Sequence, residues 1–334
     1  NIPVWLRPQD ASLARNGVAH DGQVATRLGL PSIPVCAETA ALSVILLLAR
    51  ETGARVHLCR LSSADGINMV RRARHDGAAV TCDVAVHHLH LSEMDIGYFD
   101  AHCHLIPPLR SQRDRDALRK ALADHTIDAV CSDHCPVDDD AKQLPFSESE
   151  PGATGLELLL PLTLKWADED QVALPTALAR ITTHAANILG IDAGHLAVGA
   201  DADVCVFDAE RYWKVEPSSL LSQGKNTPYS GLELKGRVTH TLVGGQIVGT
   251  FKEFDDQYDV WLRAQQTARA LTADIKTVPG LEVNLIESSC CGMAGAFGYQ
   301  SETIDVSLKM AELSLLPKVR ATPDWAKLMS EGAF

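Results

Sequence analysis

Residues 55–87, RVHLCRLSSADGINMVRRARHDGAAVTCDVAVH, carry the pattern from which the fold is read. A short apolar run, Arg55–Leu61 (RVHLCRL), gives way to a helix-like stretch from Ser63 to Gly77, and a second apolar run, Val80–His87 (VTCDVAVH), follows. Runs that are apolar on both faces, each followed by a helix that covers the sheet, are what buried parallel strands look like in a sequence. The rhythm extends outward. Upstream, Ile33-Pro34-Val35-Cys36 leads into a helix expected from Glu38 to Thr52, and downstream Ile127–Ser132 (IDAVCS) closes the series before a loop. Gly155–Glu169 and Leu174–Leu189 read as two further helices, with Pro175 suited to a first turn. The class is α/β.

After Gly190 the texture changes to short strands and tight turns: Asp203–Asp208, Gly236–Val243 and Gln246–Val248, with Gly244-Gly245 as a hairpin signal. This predicts a small β domain over residues 191–249. Residues 250–334 change character again, and 256–275 read as one amphipathic helix of a helix-rich appendage. Across all 334 residues, 30 Lys+Arg against 43 Asp+Glu give a net charge of −13, with 46% hydrophobic and 22% charged residues, which excludes a disordered or fibrous chain. The most apolar run, Ala40–Ala49 (AALSVILLLA), is about half of the roughly 20 residues a membrane span needs. No basic block of the nucleic-acid kind is present. Nine cysteines scattered through strand-like runs predict reduced thiols and a cytoplasmic protein without a signal peptide. The opening Asn1-Ile2-Pro3, with no Met, predicts a start inside a larger parent sequence.

Chemistry concentrates at the expected strand ends. His87 and His88 follow one strand, and Asp133 and His134 another. The C-terminal ends of parallel strands converge on one open face, where imidazoles and a carboxylate suit Zn²⁺. The alternative reading is that the histidines are loop-edge residues and Asp133 caps a helix or pairs with an arginine. The His88-Leu89-His90 and His102-Cys103-His104 pairs sit in turn-rich sequence, and are read as hydrogen-bonded or solvated histidines rather than chelating pairs.

The order of the motifs then carries a resemblance. Residues 56–63 (VHLCRLSS), Thr81-Cys82-Asp83-Val84 with His87-His88-Leu89, Pro107-Pro108-Leu109-Arg110, Ser132-Asp133-His134-Cys135-Pro136 and Gly152-Ala153-Thr154-Gly155-Leu156-Glu157 resemble the C-terminal part of the dihydroorotase branch of the amidohydrolase superfamily. Gly199–Asp203 and Lys225–Tyr229 continue the match into that family's flanking β domain. The resemblance implies a partial TIM barrel over residues 1–190, in a hydrolase of pyrimidine biosynthesis that opens and closes the dihydroorotate ring with zinc. It also implies losses. The family's metal histidine in the strand at 56–61 falls on Arg60, its asparagine before Pro-Pro-Leu-Arg on Ile106, and a substrate-contacting histidine on Val137. A guanidinium has no lone pair for a metal. What survives is a histidine of the His87-His88 pair, Asp133 as catalytic and metal carboxylate, and the substrate-binding backbone at Gly152. The pattern is similar to non-catalytic dihydroorotase-like proteins that hold aspartate transcarbamoylase in an assembly. That reading, without a cofactor and with a homo-oligomer as an option, stands ahead of a zinc-dependent dihydroorotase.

Residues 277–320, with Cys290-Cys291-Gly292 among them and the match running on through Met310–Ser314, resemble the Cys-Cys-Gly domain of iron–sulfur subunits of the heterodisulfide-reductase and glycolate-oxidase type. A cubane cluster takes four thiolates, and Cys290 and Cys291 supply two, so a working cluster is not expected; an oxidoreductase fragment is the third reading. With about four of the eight strands a barrel needs, the sheet is expected to stay open.

Overall fold

In a computed structural model, residues 3–250 are described. They fall within the first of two compact units, Asn1–Phe251; the expected appendage, including the helix at 256–275 and Cys290 and Cys291, lies outside the described residues.

The strands are β1 (Val4–Leu6), β2 (Ala19–His20), β3 (Ser32–Ile33), β4 (Val56–Leu58), β5 (Val80–Ala85), β6 (Ala129–Cys131), β7 (Val204–Lys214), β8 (Glu233–Val243) and β9 (Gln246–Thr250). The helices are α1 (Gln23–Leu28), α2 (Cys36–Thr52), α3 (Ala64–His75), α4 (Gln112–Ala123), α5 (Asp139–Lys142), α6 (Leu159–Glu169), α7 (Leu174–Ala179) and α8 (Thr183–Leu189). The principal sheet is parallel, in the order β1-β4-β5-β6, with His57 beside Thr81 and Asp83 beside Ala129. It is an open arc of a (β/α) barrel, as the strand count predicts, with β1 and β6 as its margins.

Local chemistry sets the boundaries. Ser63 and Ser111 cap α3 and α4 by accepting from the Gly66 and Asp114 amides, while Gly53 ends α2 with φ 66°. The core is built from the sheet residues Val56, Leu58, Val80, Cys82, Val84 and Val130, covered by Leu42, Ile67, Val70, Leu118 and Leu122 from α2, α3 and α4. Val215, Leu220, Tyr229 and Leu234 belong to the same cluster, so the base of the antiparallel β7-β8-β9 sheet is anchored in the core of the parallel one.

Three expectations are corrected. Ile33-Pro34-Val35-Cys36 is not a barrel strand: Pro34 has no amide to donate, Cys36 already opens α2, and Ser32–Ile33 pairs with β2 in a separate sheet. The fourth strand of the arc is instead Val4–Leu6, whose three exposed side chains gave no buried-strand signal. Leu174–Leu189 is two helices. The break falls where the Val130 amide donates to the Arg180 carbonyl and the Arg180 guanidinium, on a residue 1% exposed, donates to the Ile127 carbonyl at the sheet margin. The strand expected at Asp203–Asp208 runs on to Lys214, bulging between Asp208 and Tyr212.

Candidate functional site

Each strand of the arc is followed, just past its C-terminal end, by at least one charged or imidazole residue: Arg7 after β1, Arg60 after β4, His87 and His88 after β5, and Asp133 after β6. An amide bond from Cys59 to the Leu6 carbonyl, 2.8 Å, carries the β1–β4 pairing up to this mouth. Arg60 Nη1 donates to Asp133 Oδ1 at 2.5 Å, with the two side chains 31% and 11% exposed. Both residues have left-handed backbones, φ 57° and 45°. An aspartate adopts this conformation more readily than most residues, but an arginine does not, so the surrounding contacts must hold Arg60 there at a cost of about 1–3 kcal/mol. Desolvation opposes the Arg60 charge, but the charge and hydrogen bond of Asp133, with Cys131 and Asp83 behind, raise its pKa above the ordinary value.

The two adjacent histidines part company. His88 donates from Nε2 to the Pro108 carbonyl at 3.2 Å, which leaves the lone pair on buried Nδ1. Burial lowers its pKa, with Asp133 working the other way. His87 turns into the protein, stacks on Tyr229 at 5.7 Å and has neither ring nitrogen bonded. Desolvation first, then His88, His90 and His134, bring its pKa down to about 3. A Cβ on Gly155 would lie 2.2 Å from the Ser132 carbonyl and 2.9 Å from His87 Nε2, so the bare glycine is what lets this loop close over the ring. His134 holds the same loop by accepting the Gly155 and Leu156 amides at Nδ1.

Gly152 has φ 143°, and a Cβ there would meet Cys135 Sγ at 2.7 Å. Its amide donates to the His104 carbonyl and its carbonyl accepts from Asn226 Nδ2, so the amide has no proton left for a substrate. Val137 is buried, its amide bonded to Asn226 Oδ1. His104, from the second His-x-His pair, is bonded to Ser149 Oγ at 2.9 Å, and His90 to the Leu162 carbonyl at 2.8 Å, so both are structural.

A polar cluster that the sequence reading passed over lies below the mouth. His57 Nδ1 meets Thr81 Oγ1 and Nε2 meets Asp83 Oδ2, each at 2.8 Å, under the ring of Trp5. Among the described residues, His57, Cys59 and Asp83 are the group whose donor atoms come close enough to share a metal. Those atoms are already spent: both imidazole nitrogens are bonded, and Asp83 Oδ1 accepts the Arg60 amide at 2.7 Å and the Cys131 thiol. Desolvation, then the Asp83 charge, push the Cys59 thiol up to about 11 and Cys131 well above its ordinary range, so neither is a thiolate or a nucleophile. The signal was available in the spacing, since 57 and 59 on one strand and 81 and 83 on the next share a face.

Zinc therefore does not fit the residues present. The mouth offers one imidazole nitrogen and one carboxylate, and that carboxylate is neutralised by a guanidinium; a catalytic zinc has three protein ligands plus water.

A parallel β/α arc with histidine and aspartate at its C-terminal mouth and an antiparallel sheet at its flank is the build of an amidohydrolase. The chain belongs to that family: the Amidohydrolase family profile matches residues 17–248. Among curated relatives, a dihydroorotase-like protein of Pseudomonas aeruginosa is 42% identical over 247 residues, covering 74% of this chain and 58% of its own length. A dihydroorotase of a Geobacter species is 39% identical with the same coverage. The chain thus spans somewhat over half the length of the relatives it matches. Among solved structures, an L-hydantoinase (dihydropyrimidinase) from Arthrobacter aurescens superposes with TM-score 0.67 at 26% identity, covering 75% of this chain and 57% of that one. A D-hydantoinase from a Thermus species, TM-score 0.62 at 23% identity over 67% of this chain and 52% of its own, supports the fold alone.

Proposed function

We propose that this chain is a dihydroorotase-like amidohydrolase that has given up hydrolysis and serves pyrimidine biosynthesis in the cytoplasm as a structural partner of aspartate transcarbamoylase. The observation that carries the reading is the Arg60–Asp133 ion pair: the carboxylate that would hold a metal or a proton at the strand ends is instead bound to a permanent cation. Three further features support it. His87 is packed against Tyr229, the Gly152 amide is internally bonded, and Val137 is a buried apolar residue. Relatives named as dihydroorotase-like proteins, at 42% and 40% identity in Pseudomonas aeruginosa and Pseudomonas putida, support the dihydroorotase-like part of the reading.

The test has two arms. The purified chain is assayed for ring closure of carbamoyl aspartate, with and without added zinc, and its metal content is measured. No turnover above background and zinc well below one per chain are expected; turnover abolished by Asp133→Ala would overturn the reading in favour of a zinc dihydroorotase. Co-purification with aspartate transcarbamoylase from the same source tests the partner role, and two proteins that elute independently at micromolar concentration would remove it.

A further inference from the structure

The turn between α7 and α8 covers the outer edge of β6, and two imidazoles help to hold it there. Val130 is paired with Val84 on one side of β6, and its amide donates to the Arg180 carbonyl at 3.1 Å. The Arg180 guanidinium, on a residue 1% exposed, reaches back along the same edge: Nη1 donates to the Ile127 carbonyl at 3.2 Å and to His184 Nδ1 at 3.3 Å, and Nη2 to His125 Nδ1 at 2.7 Å. A guanidinium only donates, so both Nδ1 atoms accept, and each neutral ring carries its proton on Nε2. The rings come from different elements, His125 from the loop after α4 and His184 from α8, with centroids 6.4 Å apart. His125 is exposed and His184 half-buried, so both are open to protons from solvent. A proton on either Nδ1 sets donor against donor and cation against cation. The carboxylates at this edge are Asp124 and Asp128, and both are already paired with arginines of α3: Asp124 with Arg71 at 2.9 Å, and Asp128 with Arg74, which also donates to the Thr126 and His125 carbonyls. Burial first, then the Arg180 charge, lower the pKa of His184, while a hydrogen bond to the Asp128 backbone works the other way.

We propose that His125, Arg180 and His184 form a pH-sensitive latch on the outer edge of β6: protonation of the two imidazoles drives the Arg180 turn off the edge and leaves the Val130 amide without its partner. The open form binds the protons more readily than the closed one, so the latch is shut while the imidazoles are neutral and opens as pH falls through the ordinary histidine range. An uncovered strand edge is a template for pairing with another chain, so the latch ties exposure of this margin of the arc to acid. The inference does not depend on whether the chain associates with aspartate transcarbamoylase.

The experiment follows backbone hydrogen exchange in the purified chain between about pH 7.5 and about pH 5.5, each rate divided by its intrinsic value at that pH. Protection of the Val130 amide should fall by about tenfold or more across this range, with the ring resonances of His125 and His184 titrating over the same interval. In His125→Gln/His184→Gln the side-chain oxygens can still accept from Arg180 but take no proton, and the fall should vanish. His184→Gln alone should remove about half of it on a logarithmic scale, which keeps the test decisive if the double variant does not fold. Any general weakening in acid from the buried His87, His90 and His104 is common to all three proteins and cancels in the comparison. Val130 protection that stays level in the unaltered chain, or that falls equally in the variants, would overturn the latch.

Discussion

Two arginines, fifty residues apart in the chain, show opposite ways of placing a cation. Arg110 is 3% exposed, and its donors are assigned: Nε to Ser62 Oγ, Nη1 to the Ile33 carbonyl and to His20 Nδ1. Next to it, buried Glu38 accepts from the amides and hydroxyls of Ser62 and Ser63, four bonds that tie α2 to the β4–α3 turn. Arg60, only two residues before Ser62, has one side-chain partner, and Arg7 has none among the described residues. The buried arginine is bonded on several sides by the fold, whereas those at the strand ends are bonded on one side or none among the described residues.

The contrast can be broken at its stronger end first. Glu38→Ala strips four buried donors of their acceptor, and should destabilise the protein by about 3–5 kcal/mol, read from urea unfolding; a loss below about 1 kcal/mol would show that the network is ornamental. Acid should follow. His87 is brought to about 3, His90 and His104 to about 4, each chiefly by desolvation, so all three are neutral when folded and take protons near pH 6.5 when unfolded. The unfolded chain binds more protons in that window, so stability is full above about pH 6.5 and falls by a few kcal/mol as pH drops toward 4, measurable as a falling melting temperature. Arg60→Leu, at the mouth, leaves Asp133 largely buried without its partner, and should cost about 1–2 kcal/mol, most of it recovered in the Arg60→Leu/Asp133→Leu double variant. Arg7→Gln should change stability by less than about 0.5 kcal/mol, because the exposed side chain supports no bond among the described residues.

The sequence made the α/β class and the central β4-α3-β5 unit legible, because apolar runs and helical spacing alternate there without interruption. Asp133 and His88 were legible as strand-end residues for the same reason. Arg7 was not, since Val4-Trp5-Leu6 faces outward at the margin of the arc and carries no buried-strand pattern. The divergence of His87 from His88 was equally hidden: the single helical turn at Val86–Leu89 swings successive rings apart, whereas an extended reading of the run to His87 does not show that turn. The pairing of Arg60 with Asp133 depends on residues 73 positions apart meeting across two strands, which no local pattern encodes.

Asn226 has a consequence in time rather than in energy. Its side chain bonds the Cys135 and Gly152 carbonyls, the Val137 amide and the Thr154 hydroxyl, across 72 to 91 residues of chain. Closing loops that long is entropically slow compared with forming the neighbouring β4-α3-β5 unit. The loops bearing His134 and Gly155 therefore wait on a segment made some seventy residues later, and pulsed hydrogen exchange during refolding should find the Val137 and Thr154 amides protected after those of α3. On a ribosome, the mouth of this protein sets only once the chain has been synthesised well past its own sequence.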